Sequence, residues 1–338
     1  MRKTPFCLLA LFLIGGAALL AQDIRWLPDF EGKASMLVTK ATKESMVDLG
    51  LSPSDTDAYN QELRRLADLL LSQPALKAPR GVELKCWLQI GSVGDLGRKD
   101  PVPSVGFVQF YPYLQGTVKP TIPKECSVEM YIQVNDPKIC LVLGAGDYRD
   151  SQGRRIFREP RKVGEFQGFP VYSRSAVIFD MLILTRSRRP IWKPLTREEF
   201  IRGEIRRMGK ELATMGLAVQ SSSDPLRRQM EKHNAALAAM SAAERQAQAR
   251  FLQDFKGLGP DLAPIGSSDG IPLVVANPDW FDPSLPRWAI QLIVVGFEYG
   301  PRFDPESPKF DKDIGVAPLR LLETRQTTDW KAISSLLK

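Results

Sequence analysis

The chain has 338 residues, of which 43% are hydrophobic and 25% are charged, and these proportions exclude a wholly disordered protein. The length exceeds that of a typical compact domain, so one large body and two domains both stay open. Basic residues outnumber acidic ones by 46 to 39, which gives a net charge of +7. Because the chain has one histidine, His233, and no C-x-x-C pair, zinc sites built on several histidines or on such a pair are excluded.

The N-terminus has the parts of a secretory signal peptide. Arg2 and Lys3 supply the positive start, and residues 6–21 follow without a charge as FCLLALFLIGGAALLA. We predict cleavage after Ala21, although Leu19 is large for the −3 position. An uncleaved anchor is the alternative, but the apolar run is shorter than the roughly 20 residues of a membrane-spanning helix.

Cleavage at this site predicts an exported protein, periplasmic or extracellular, with no transmembrane segment left and a net charge of +5. Cys7 lies inside the apolar run, so it does not serve as a lipid anchor at the cut. Three cysteines remain: Cys86, Cys126 and Cys140. Export permits one disulfide among them, and buried free thiols are an equally good interpretation. The form of the signal indicates a bacterial source.

After an irregular stretch to about residue 40, the first regular element is a helix over residues 52–72. Ser52 is placed to cap its N-terminus, and Pro53 suits its first turn. Leucines at three- and four-residue spacing form its apolar stripe: Leu63, Leu66, Leu70 and Leu71.

From residue 81 to residue 192 the hydrophobic pattern changes to period two, which predicts an antiparallel, meander-rich sheet. The strand candidates are 82–90, 105–113, 127–134, 139–143, 170–174 and 176–185. The last candidate is almost continuously apolar and is expected in the centre of the sheet. Its one acid, Asp180, must be paired, solvated or neutral, and we expect an arginine as its structural partner.

A helical hairpin over residues 197–256 is predicted to interrupt the sheet. A capping box at 196–199 marks its start, because Thr and Glu stand three residues apart before an apolar stripe. Pro225 starts its second helix, and a further capping box at 241–244 indicates a break within that helix. Spacings of three and four residues on both helices favour antiparallel packing.

Further strands and a terminal helix are predicted after the hairpin: 271–276, 288–297, 316–322 and 328–337. The segment 277–287 is a turn-rich connection, and 300–313 is expected to be a surface loop. The fold class is therefore α+β, with a mainly antiparallel sheet body interrupted by a long helical hairpin. The predicted units are the signal peptide, the first part of the body, the hairpin insertion and the second part of the body: 1–21, 22–195, 196–257 and 258–338.

Basic residues are concentrated between Arg149 and Lys193, where eleven of them meet four acids. The ordinary interpretation is a solvated face of loops and strands. The sharper one is a patch for an anionic partner, such as a lipid head group, a polyanionic glycan or an acidic protein. Its candidate contacts are Arg154, Arg155, Arg158 and Arg161. Export argues against nucleic acid and nucleotide cofactors as partners, and no cofactor or metal is predicted.

Two features of the sequence are candidates for catalysis, a G-x-S-x-G match and a group of carboxylates. The sequence GSSDG at 266–270 matches G-x-S-x-G, but it lacks the preceding strand of a nucleophile elbow and no histidine follows it, so we interpret it as a turn. The remaining candidates are carboxylates, Asp279 with Asp282 and Asp180 as a third, beside the Trp280 ring, which suits a glycan. The alternative for Asp279 and Asp282 is capping of their own turn.

Two segments, PLTREEF at 194–200 and NPDWFDPSLPR at 277–287, resemble signatures of a group of exported, functionally uncharacterised bacterial proteins. The order of strand, capping box, helical hairpin, turn and strand fits over roughly residues 176–297. The resemblance implies export and this order of elements, and it implies no activity, ligand or catalytic residue.

The sequence therefore predicts a non-enzymatic exported protein that binds or scaffolds an unidentified, preferably anionic, component of the bacterial cell envelope. The alternative is a carboxylate-dependent hydrolase acting on a glycan or other envelope polymer. Convergence of Asp279 and Asp282 with Trp280 or Trp192 in one cleft would favour the hydrolase. A third hypothesis is a lipid or polyanion sensor that uses the arginines of residues 154–161.

Overall fold

The computed structural model describes residues 25–39, 46, 49–91, 100–116, 119–123, 127–137, 148–173, 179–214, 220–252, 262–277, 279–298 and 316–338. Several predictions concern residues outside these ranges: the signal peptide at 1–21, Cys126, Cys140, the strand at 139–143 and the loop at 300–313.

Helices and strands alternate irregularly along the described residues. The strands are β1 (Ala34–Thr39), β2 (Val82–Ile90), β3 (Ser104–Pro112), β4 (Val128–Val134), β5 (Phe157–Arg158), β6 (Arg161–Phe166), β7 (Phe169–Ser173), β8 (Phe179–Thr185), β9 (Trp192–Pro194), β10 (Arg250–Phe251), β11 (Ile271–Ala276) and β12 (Leu292–Glu298). The helices are α1 (Pro53–Leu71), α2 (Pro74–Lys77), α3 (Arg197–Thr214), α4 (Gln220–Ala239), α5 (Ala242–Gln246), α6 (Ala317–Thr327) and α7 (Trp330–Ser334).

Eight of these strands form a large, mostly antiparallel sheet in the order β1-β2-β3-β4-β12-β8-β7-β6, so the α+β fold class is confirmed. β1 pairs with β2 in parallel. The expectation of an irregular chain up to residue 40 is therefore wrong, because the β1 sequence alternates and turns Met36 and Val38 toward the core. β8 lies inside the sheet between β12 and β7, as its apolar sequence predicts.

The main core lies between one face of this sheet and helices α1, α2, α6 and α7. Alternate residues of the central strands are buried there, including Leu84 and Cys86 of β2, and the thiol of Cys86 is free. α1 begins and ends within one residue of its prediction. Ser52 accepts a hydrogen bond from the Asp55 backbone N–H (3.1 Å), and Leu63, Leu66 and Leu70 are buried along the predicted stripe.

The strand predicted at 316–322 is instead the start of helix α6. Its buried residues Ala317, Leu321 and Thr324 recur every three or four positions, which is the period of a helix, while Leu319 points outward and is 41% exposed. Pro318 fits the first helical turn, where no intrahelical donor is needed. The strand prediction is wrong because this short apolar run has the period of a helix and not that of a strand. The terminal helix is also shorter than its prediction of 328–337.

A second, smaller core forms around a four-stranded sheet of β10, β11, β5 and β9. α3 packs over it through Phe200 and Ile201, and β11 contributes Leu273 and Val275. The capping box before α3 is confirmed: Glu199 N–H donates to Thr196 Oγ1 (3.2 Å), and Thr196 N–H donates to Glu199 Oε2 (3.0 Å). Strand β11 matches its predicted bounds.

α3 and α4 contact each other, but the predicted extent of the second helix is wrong at both ends. Pro225 lies inside α4, which begins at Gln220, and α4 ends at Ala239 rather than running to residue 255. The capping box of Ser241 and Glu244 starts a separate short helix, α5. Beyond it the chain becomes extended as β10, because backbone pairing with β11 places Phe251 in the small core.

The other face of the large sheet is covered in part by the segment 277–287. Trp280 and Phe281 pack on alternate residues of the two central strands: Met181, Ile183, Leu292 and Val294. β12 begins four residues later than its prediction of 288–297. Residues 279–287 are thus fixed on the sheet, and they form one wall of an open cleft.

Candidate functional site

The segment 277–287 is anchored by hydrogen bonds to the chain before β9. Asn277 Nδ2 donates to the Pro190 carbonyl (2.8 Å), and its Oδ1 accepts from Asp279 N–H (3.1 Å). The Trp280 indole N–H donates to the Arg189 carbonyl (3.0 Å). Trp280 is only 2% exposed, so its ring is part of the core and offers no face for a sugar to stack on.

An open cleft of about 340 Å³ lies between this segment and the loop at residues 100–101. Its lining combines apolar and charged residues: Asp100, Pro101, Arg189, Asp279, Phe281, Asp282, Pro283, Leu285 and Arg287. Arg287 joins the two walls, because its Nε donates to the Asp100 carbonyl (3.0 Å) and its Nη1 donates to the carbonyls of Leu49 and Gly50. The volume falls within the range of small-ligand sites.

Asp279 and Asp282 both line this cleft, and each is held by a partner of its own. Asp279 Oδ2 accepts from Lys193 Nζ (2.6 Å), and Asp282 Oδ1 accepts from Ser284 N–H (2.9 Å) and Oγ (2.7 Å). These hydrogen bonds lower the pKa of Asp279 and of Asp282, so both carboxylates are ionised at neutral pH. Neither has the raised pKa of a general acid, and Asp282 caps its own turn.

Asp180 lies on the opposite face of the large sheet from this cleft. Its neighbours along β8, Met181 and Ile183, pack under Trp280, whereas the Asp180 side chain faces the main core side. The expected arginine partner is present there, since Arg325 Nη1 donates to Asp180 Oδ2 (3.1 Å). Asp180 therefore does not join Asp279 and Asp282, and Trp192 instead packs edge-on against Tyr172.

Of the four arginines predicted as an anion patch, two lie in strands of different sheets and two lie in the segment before β5. Arg154 pairs with Asp150 and with Glu199 (3.1 Å), so its charge is matched. Arg158 in β5 lies over the Phe251 ring, 5.2 Å from its centroid. Arg155 is half-buried beside β5, and Arg161 is exposed on β6, the edge of the large sheet.

The structure adds two cleft residues that the sequence did not single out, Arg189 and Arg287. Arg189 Nη1 donates to the Asp279 carbonyl (2.7 Å). Among the described residues, no acceptor bonds the Nη2 atom of either guanidinium, which leaves donors for a ligand. In the sequence, Arg189 is one member of the basic stretch and Arg287 is one member of the turn-rich segment, and nothing local indicates that they share a cleft.

The G-x-S-x-G segment is a turn, as predicted. Gly266 and Gly270 have positive φ values of 77° and 78°, and Arg250 donates to the carbonyls of Ser268, Asp269 and Gly270. His233 is half-buried on α4, with its Nε2 3.3 Å from Gln229 Nε2. Within the described ranges, no group of three or more His, Cys, Asp or Glu side chains is arranged to hold a metal ion.

Comparison of the chain with protein families, with curated proteins and with solved structures gave no match. None of the helices in the described part of the chain has the length and apolar character needed to cross a bilayer.

Proposed function

We propose that the protein is an exported, non-enzymatic binding protein of the bacterial cell envelope, and that the cleft between residues 100–101 and 277–287 holds its ligand. The observation that supports this proposal is that Arg189 and Arg287 both line the cleft and are both held by hydrogen bonds to backbone carbonyls. Each keeps an Nη2 donor that no described residue uses. Guanidinium groups recognise carboxylate or phosphate through parallel N–H donors.

Asp279 and Asp282 indicate which other groups a ligand of this cleft carries. One oxygen of Asp279 is used by Lys193 and one oxygen of Asp282 by Ser284, so each keeps an oxygen that can accept from a hydroxyl or amine. A purely anionic ligand would meet these charges unfavourably. The cleft therefore fits a component with both an anionic group and hydrogen-bond donors, such as an acidic sugar.

Arg189→Gln tests this proposal. Glucuronate is a probe with a carboxylate and hydroxyls, and we expect its dissociation constant to rise about tenfold or more when the Arg189 guanidinium is lost, because a charge-assisted hydrogen bond contributes about 1.5–3 kcal/mol. Arg188→Gln is the matched control, since Arg188 is the neighbouring exposed arginine and does not line the cleft. Equal weakening in both variants, measured by calorimetry, would contradict a specific contact.

A hydrolase is the second candidate, because Asp279 and Asp282 line the same cleft. Their lowered pKa values and the burial of Trp280 argue against it, since glycoside hydrolysis needs one protonated carboxyl. The measurement is the release of reducing ends from envelope glycan. If the wild-type protein releases them and Asp279→Asn does not, the protein is a hydrolase and not a binding protein.

Export is tested by the mature N-terminus. When the full chain is produced with its own leader in a bacterial host, we expect N-terminal sequencing of the secreted or periplasmic fraction to read Gln-Asp-Ile-Arg from Gln22. A protein that stays with the membrane and still begins at Met1 would contradict a cleaved signal peptide.

A further inference from the structure

The outward face of β2, β3 and β4 carries an ordered array of side chains, which we call the aromatic face. Trp87, Phe107 and Tyr131 lie side by side across the three strands, with ring centroids 4.5 and 4.7 Å apart. Trp87 and Phe107 are half-buried, so part of each of these two rings is open to solvent. Gly296 of β12 continues this row without a side chain.

A polar row runs beside the aromatic one. Lys85, Gln109 and Glu129 are register partners across β2, β3 and β4, and Glu298 of β12 follows them. Gln109 Nε2 donates to Glu129 Oε1 (2.6 Å), and Glu298 Oε2 accepts from Glu129 N–H (3.0 Å). Two carboxylates therefore lie next to each other on neighbouring strands.

Lys85, the cation of the polar row, does not pair with these two carboxylates. Lys85 is directed elsewhere, 3.7 Å from Glu83 and over the Tyr111 ring, and within the described residues no ion pair includes Glu129 or Glu298. Burial raises the pKa of Glu298, and the charge of Glu129 adds to the rise; the hydrogen bond from the Glu129 N–H offsets only part of it. The face is thus acidic on a chain with an excess of basic residues.

We propose that the aromatic face binds an arginine-bearing segment of a partner protein, with guanidinium groups stacked on Trp87 and paired with Glu129 and Glu298. Planar guanidinium groups suit both contacts, since they stack on aromatic rings and bond carboxylates through paired donors. The face extends across four strands, about 15 Å at the usual strand spacing, so an extended polypeptide can contact all four strands, whereas small ligands bind mainly in concave sites.

The test is binding of a fluorescein-labelled, acetylated tetra-arginine peptide at low salt, followed by anisotropy. We expect Glu298→Gln and Glu129→Gln each to raise the dissociation constant at least about fivefold, because each removes one charge-assisted contact. Glu231→Gln, on the exposed side of α4, is the matched control and should bind as the wild type does. Binding should also weaken as the pH falls and Glu298 takes up a proton.

Two results would overturn the proposal. One is equal peptide affinity, within twofold, for wild type, Glu298→Gln and Glu129→Gln, with circular dichroism showing all three folded. The other is spermidine competing as tightly as the peptide with the same dependence on Glu298, which would assign the face to small organic cations. Because the face is separate from the cleft, Arg189→Gln should leave peptide binding unchanged, so failure here is distinguishable from failure of the proposed function.

Discussion

We expect Trp280→Ala to lower the free energy of unfolding by about 3–5 kcal/mol. The substitution removes a ring that is 2% exposed and packs on Met181, Ile183, Leu292 and Val294, and it leaves a cavity under the cleft wall. It also leaves the Arg189 carbonyl without its indole donor. Urea unfolding of the purified variant measures the change.

Trp280→Phe distinguishes the loss of packing from the loss of the hydrogen bond, and Leu319→Ala is a control on the surface. The phenylalanine keeps most of the apolar volume and loses the hydrogen bond, so we expect a smaller loss of about 1–2 kcal/mol. Leu319 is 41% exposed on α6, and its truncation should change stability by less than about 0.5 kcal/mol. If Trp280→Ala were as mild as Leu319→Ala, the ring would belong to the surface, and a direct role in ligand binding would regain support.

Asn135→Ala is expected to destabilise the protein by about 3 kcal/mol or more, because it leaves several buried polar groups without partners. Asn135 is fully buried. Its Nδ2 donates to the carbonyls of Val102 (3.1 Å) and Ala289 (2.9 Å), and its Oδ1 accepts from the N–H groups of Gln291 and Leu292. Val102 lies next to the loop at 100–101 and Ala289 lies next to the segment 277–287, so these bonds connect the two walls of the cleft.

Asn135→Gly isolates the backbone contribution. Asn135 has a φ of 54°, a left-handed conformation that costs a non-glycine residue about 1 kcal/mol. Glycine removes that strain and the same hydrogen bonds, so it should be about 1 kcal/mol less destabilising than alanine when both are unfolded in urea. A glycine variant as stable as the wild type would limit the net contribution of the four hydrogen bonds to about the 1 kcal/mol of strain that glycine removes, and would contradict this account.

The elements that could be predicted from the sequence are those set by local contacts. Ser52 begins α1, and the two capping boxes begin α3 and α5, because each cap bonds a backbone group three residues away. The central strands follow from period-two burial. β1 and α6 could not be predicted in this way, because both depend on tertiary contacts. β1 is extended because it pairs with β2, and α6 is recognised by the residues that it buries in the core.

The candidate site was predicted only in part, for a similar reason. The sequence indicates that 277–287 is a turn-rich connection and that Asp279 and Asp282 are close to each other. It does not indicate that Arg287 bonds a carbonyl 187 residues away at Asp100, or that Arg189 reaches Asp279 from 90 residues away. The sequence predicts a glycan contact for Trp280 because it stands beside Asp279 and Asp282, whereas its burial depends on the strands that pass beneath it.

The most direct test of the proposed binding function is calorimetric titration of the mature chain, residues 22–338, with glucuronate and with glucose. The two sugars share a ring and differ by the carboxylate, which is the group assigned to Arg189 and Arg287. We expect saturable heat for glucuronate, weakened by Arg189→Gln and not by Arg188→Gln, and no saturable heat for glucose. Equal binding of both sugars, or no binding of glucuronate, would contradict recognition of an anionic ligand in this cleft.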